Sequence, residues 1–159
     1  MATGFGTALA QSNERVAQVN ERIAVSKMMA AGRMRAGAKW FYWIAGLSMV
    51  NSAVVIFGGS LHFVVGLGIT SVVDALAKRA GNMGSVLDVI INGFVAAGFV
   101  LFGYFASKAQ RWAFLVGMAL YAMDAFLLLG VKDFLSVGFH AYALWAISKG
   151  LTASKQIQA

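Results

Sequence analysis

Four apolar runs dominate the chain beyond residue 40, at 40–57, 86–106, 112–130 and 134–148. Runs of this kind read as helices that cross a bilayer, so the expected fold is all-α, an integral membrane bundle of four transmembrane helices. Each run carries a polar residue at nearly the same depth: Asn51, Asn92, Asp124 and His140. An ionisable side chain in hydrocarbon costs several kcal/mol unless paired or wet, which makes it a functional-site candidate by default. Composition agrees with a membrane protein: 60% of residues are hydrophobic and 12% charged, about half the charge of a soluble domain.

Two absences narrow the chemistry. The chain has no cysteine, which excludes disulfides, thiolate metal sites, Cys nucleophiles and haem attached through CxxCH. It has no proline, so helix breaks would have to come from its 18 glycines. The net charge of +7 suits cytoplasmic loops facing anionic lipid rather than nucleic acid. No secretory leader is expected, because the first long apolar run begins near Trp40.

The expected organisation is a basic arm at 1–39, a membrane bundle at 40–150 and a short polar tail at 151–159. In the arm, Leu9, Val16, Ile23 and Ala30 recur every seven residues, with Val19 nearby, among Arg15, Arg22, Lys27, Arg33, Arg35 and Lys39. That pattern predicts an amphipathic helix lying at the membrane interface; a partner-binding helix is the alternative. Arg33, Arg35, Lys39, Trp40 and Trp43 at one membrane entrance, and Arg111 and Trp112 at another, read as headgroup anchors in an aromatic belt.

Segment 60–81 is ambiguous. His62, Gly66, Thr70, Asp74 and Lys78 share one helical stripe, and Asp74 and Lys78 are spaced as an i,i+4 pair. A fifth short helix here could lie at the interface, dip in and return, or cross. Counting basic residues from Arg33, four spans place seven inside and three outside, whereas five place six inside and four outside. The positive-inside rule therefore prefers four spans with both termini cytoplasmic, in a bacterial cytoplasmic membrane. All four polar residues then lie about 9 Å below the outer boundary, at 1.5 Å per residue, with Asp88 one turn nearer the surface. The run Gly81-Asn82-Met83-Gly84 reads as a turn before the next span.

Asp124 and His140 form the sharpest pair, since a carboxylate beside an imidazole can hold it charged, orient it or exchange a proton with it. Asp88, Asn92 and Asn51 complete the expected cluster. A divalent metal would use His140 first, with Asp124, Asp88 and His62, although no HxxxH or ExxH spacing is present. Ser136, His140 and Leu144, with small residues at Gly138, Ala141 and Ala143, form a small-x-x-x-His-x-x-x-Leu pattern similar to that of light-harvesting polypeptides. The resemblance covers about nine residues and implies a tetrapyrrole at His140. Those polypeptides have one span, so nothing else is carried over, and the sequence requires no cofactor.

Enzyme signatures are missing. No serine sits in GxSxG, and Gly66-Leu67-Gly68 continues into no phosphate-loop motif. Gly93-x-x-x-Ala97 and Ala113-x-x-x-Gly117 are small-residue pairs that let helices touch. The chain thus reads as a small polytopic protein whose partners are the bilayer and other membrane proteins, in a homo- or hetero-oligomer. The first expectation for its role is an accessory or assembly subunit of a larger complex. An ion- or proton-coupled carrier or channel using the Asp/His/Asn cluster is the second, and a pigment- or haem-binding subunit the third.

Overall fold

The structure, a computed structural model, describes residues 3–56, 67–69, 82–130 and 132–158, with side chains at 9–54, 67–69, 86, 89–130 and 132–158. Among these residues there are four helices and no strand: α1 Thr3–Ile56, α2 Asn82–Ser107, α3 Arg111–Gly130 and α4 Phe134–Gln158. They form an antiparallel up-and-down bundle in which neighbours follow chain order and α4 returns to α1. Tyr42 meets Gly103 while Ser52 meets Asn92, so α1 and α2 run oppositely. Phe114 meets Gly150 while Asp124 meets His140, which sets α3 against α4 in the same way.

Both short connections use the same device. At the end of α2, Gln110 N–H donates to Phe105 O and Ala109 N–H to Ala106 O. At the end of α3, Asp133 N–H donates to Leu128 O and Lys132 N–H to Leu129 O. These are Schellman caps, which need one left-handed residue. Ala109 and Lys132 supply it, each at φ 61°, where glycine would be less strained. Asp133 then caps α4: its carboxylate accepts from the backbone N–H and hydroxyl of Ser136.

The arm is not a separate interfacial helix. Residues 3–56 form one uninterrupted helix, since no proline intervenes and Gly32 and Gly37 cost too little to break it. Packing begins at Ala30 and Met34, both buried. Residues 3–29 project beyond the bundle for about 40 Å. The expected turn at Gly81-Asn82-Met83-Gly84 also fails, because Asn82, Met83 and Gly84 are helical. Segment 60–81 is described only at 67–69, so the expectations for His62, Asp74 and Lys78 lie outside the described residues. Leu67 is not helical and Gly68 and Ile69 are, so the segment is not one continuous helix from end to end.

Close helix approach comes mainly from a glycine pair the sequence reading passed over. A Cβ added at Gly37 would lie 2.6 Å from the Gly150 Cα, so α1 and α4 touch backbone to backbone. Of the expected small-residue pairs, Gly117 is used: a Cβ added there would lie 2.5 Å from the Phe41 ring. Gly93 faces open space. Phe41, Phe99, Phe102 and Phe114 fill the middle of the bundle with ring centroids about 6 Å apart.

Beside this apolar core the bundle buries polar side chains and exposes large apolar ones. Ser48, Asn51, Ser52, Asn92, Asp124, Ser136 and His140 are buried, while Phe94 is 82% and Phe126 71% exposed. Among the described residues two helices are long and apolar enough to cross a membrane, at Val89–Ser107 and Arg111–Gly130. In α1 and α4 the inward-facing polar residues dilute the apolar surface.

Candidate functional site

The buried polar residues gather toward the end of the bundle that carries the α3–α4 connection. Asp124 lies one and a half turns before the end of α3, and His140 the same distance into α4. Antiparallel pairing therefore brings them level, and His140 Nε2 lies 2.9 Å from Asp124 Oδ2. His140 is wholly buried and Asp124 is 4% exposed. Theirs is the only ion pair among the described residues.

Hydrogen bonding fixes the protons. His140 Nδ1 lies 2.8 Å from the Ser136 carbonyl, which can only accept, so Nδ1 carries hydrogen. One further proton must lie between Nε2 and Oδ2. Asp124 also accepts from Gly68 N–H on Oδ2 at 2.7 Å and from Ile69 N–H on Oδ1 at 2.8 Å. These two backbone donors and the shared proton engage both carboxylate oxygens of the Asp124–His140 pair. Its net charge is zero, which limits the cost of burial. The Tyr121 ring stacks on the imidazole, with centroids 4.1 Å apart and planes at 17°.

The carboxylate thus holds residues 67–69 between α1 and α3. Leu67 N–H completes the grip by donating to Ser48 Oγ of α1 at 3.1 Å. Three successive amide donors are satisfied by two helices. Gly68 is required for this approach: a Cβ there would lie 2.8 Å from Leu128 Cγ. The start of a helical turn at Gly68 also welcomes negative charge. We term this arrangement the clasp.

Of the expected cluster, Asp124 and His140 are in direct contact, and Asn51 is buried on α1. Asn92 belongs to a second pairing, donating from Nδ2 to Ser52 Oγ at 2.9 Å. Asp88 lies on α2, but its side chain is outside the described residues. Ser48, Ser52, Tyr121 and Ser136 were not expected in the site. A helical-face argument finds them: Ser48 and Ser52 flank Asn51, Tyr121 is three residues before Asp124, and Ser136 is four before His140. The backbone donors of Gly68 and Ile69 carry no side-chain signal at all.

The metal expectation meets a different geometry. Among the described residues no group of three or more His, Asp or Glu converges, and both ring nitrogens of His140 are engaged. Tetrapyrrole or metal ligation at His140 would require Nε2 to leave Asp124, and Tyr121 already covers one ring face. Beside the clasp, an apolar cleft of about 520 Å³ opens between α2 and α3, lined by Phe94, Phe99, Phe102 and Leu127 with Asp124 at its edge.

The opposite end is basic and aromatic. Of the expected anchors, Trp40, Trp43 and Trp112 lie in one layer there with Tyr42, Tyr104, Tyr142 and Trp145, joined by ring contacts such as Trp40–Tyr142 and Phe105–Trp112. Lys108 and Lys149 sit over Tyr104 and Trp145. Arg33, Arg35, Lys39 and Arg111 lie at the same end, whereas Lys132 is the one basic residue described at the clasp end. Compared with protein-family models, with curated proteins and with solved structures, the chain matches none.

Proposed function

We propose that all four helices cross a bilayer, with the basic aromatic end at the cytoplasmic face, and that the protein is a structural or assembly subunit of a larger membrane complex. Support for the crossing comes from the many large apolar side chains on the outside and the polar ones turned inside. The Trp and Tyr layer beside uncompensated cations is the pattern of a membrane–water interface. Residues 67–69 are then re-entrant backbone, tolerated at that depth because protein groups satisfy their amides.

One observation carries the assembly role. The projecting arm keeps Leu9, Val16, Val19, Ile23, Met28 and Met29 exposed, and none of the other described residues covers them. A helix collinear with the first span cannot also lie flat on the membrane, so its apolar residues call for a protein partner. The carrier reading has less support. Each oxygen of Asp124 and each ring nitrogen of His140 is engaged, which suits a fixed clasp better than a site that must release an ion. Mass measurement of particles extracted in mild detergent tests the proposal. Full-length chain should run in a heavier particle than chain lacking residues 1–29; equal particle masses per chain would refute the assembly role.

A further inference from the structure

We propose that the outer seam between α1 and α4 binds an anionic phospholipid, with its phosphate at Arg33 and Lys149 and an acyl chain along Trp40 and Leu47. The inference rests on the membrane reading above. At the basic end the seam opens into a groove of about 470 Å³ lined by Arg33 of α1 and Ser148, Lys149, Thr152 and Gln156 of α4. Two cations converge there with the Gln156 amide, the Ser148 and Thr152 hydroxyls donating to carbonyls of their own helix, and no acidic side chain lines it among the described residues. The Lys149 ammonium is held over the Trp145 ring, 3.5 Å from its centroid. A guanidinium and an ammonium flanking one concavity suit a phosphate, and basic pockets between spans on the cytoplasmic side are where anionic headgroups dock.

Nearer the membrane, the same seam forms a second groove of about 390 Å³ with Ala36, Trp40, Trp43, Leu47 and Phe139 on its walls. Helical spacing makes the two continuous. Arg33, Ala36, Trp40, Trp43 and Leu47 follow one stripe of α1, and Phe139, Tyr142, Lys149, Thr152 and Gln156 one stripe of α4. Trp40 bridges them, against Phe139 at 6.1 Å and Tyr142 at 5.4 Å. Read along its length, the seam is cationic, then aromatic, then apolar. That sequence matches a phospholipid from headgroup to chain, and a free phosphate would use only its first part.

The test titrates full-length protein in detergent with phosphatidylglycerol bearing brominated chains, and in parallel with brominated phosphatidylcholine, while reading tryptophan quenching. Phosphatidylglycerol should quench at a concentration roughly tenfold lower. The double variant Arg33→Ala/Lys149→Ala should lose that preference. The variant Arg15→Ala/Arg22→Ala, with the same charge loss on the distant arm, should keep it. Both pairs are exposed, and an unchanged helical spectrum and elution volume will show that each variant is folded. Preference retained without Arg33 and Lys149, or lost equally in the arm variant, would overturn the proposal. So would full displacement of the lipid by millimolar inorganic phosphate, which would make the site one for a free anion. Recovery of the protein from cells without detergent would overturn the membrane reading itself. Equal binding of the two lipids by a detergent-requiring protein would overturn this inference alone.

Discussion

Replacing Asp124 by asparagine keeps the shape of the clasp and removes its logic. The carboxylate accepts three hydrogen bonds, from Gly68 N–H, Ile69 N–H and His140. An amide has one accepting oxygen and one donating nitrogen. If the nitrogen faces Gly68 and His140, neutral His140 can accept from it, but the Gly68 N–H then meets a donor. If the nitrogen faces Ile69, that amide loses its acceptor instead. Either way one buried donor is left without a partner, at about 1–3 kcal/mol, and the charge-assisted bonds weaken. We expect Asp124→Asn to lose roughly 2–4 kcal/mol and Asp124→Ala at least as much, within the range for breaking a buried ion pair. Hydrogen exchange in detergent reads the effect locally: the Gly68 and Ile69 amides should exchange 10- to 100-fold faster, at about 1.4 kcal/mol per tenfold. His140→Ala should be strongly non-additive with Asp124→Asn. Unchanged exchange at both amides, with stability within about 0.5 kcal/mol of the parent, would refute the clasp.

Other consequences can be read the same way. Gly37→Ala drives a Cβ to 2.6 Å from the Gly150 backbone, so the α1–α4 contact should weaken by about 1–3 kcal/mol. Gly46→Ala meets nothing within 4 Å and should gain up to about 1 kcal/mol in helix propensity; a denaturation midpoint for each decides. The Tyr121 hydroxyl is buried with no hydrogen-bond partner among the described residues. Tyr121→Phe should therefore match or exceed the parent midpoint, and a clear loss would show that the hydroxyl is satisfied. In the α3–α4 connection, the Ser136 hydroxyl bond holds the Asp133 carboxyl below its ordinary value. A lowered folded pKa means the cap's contribution is complete above the usual aspartate range, near about 3.9, and is lost as pH falls through the lower folded value. Asp133→Ala should cost about 1 kcal/mol at neutral pH and flatten the acid limb of a stability–pH profile.

How much of this was legible follows from what carries each contact. Asp124 and His140 were found because antiparallel helices of known ends place equal depths together, and charge in an apolar run is conspicuous. The grip on residues 67–69 was hidden, since it is made by backbone donors that every residue possesses. Gly37 was hidden for a related reason: it belongs to no small-x-x-x-small pair, and its contact with Gly150 depends on helix rotation. The arm's heptad spacing was legible, but whether it turned at residue 40 was not. Nothing between Arg35 and Trp43 prefers a bend, so the helix runs on, and that continuity converts an interfacial helix into a projecting one.

The central claim is that all four helices are embedded in lipid, with the buried polar residues turned into the bundle. Because the chain contains no cysteine, single replacements give unambiguous spin-label positions. Labels at Met49→Cys of α1, Phe94→Cys of α2, Phe126→Cys of α3 and Ala141→Cys of α4, all exposed on the bundle, should collide with oxygen and be shielded from a water-soluble nickel chelate in reconstituted vesicles. A label at Val16→Cys on the arm should show the reverse. Shielding of the α2 and α3 positions alone, with those on α1 and α4 open to the chelate, would contradict the account.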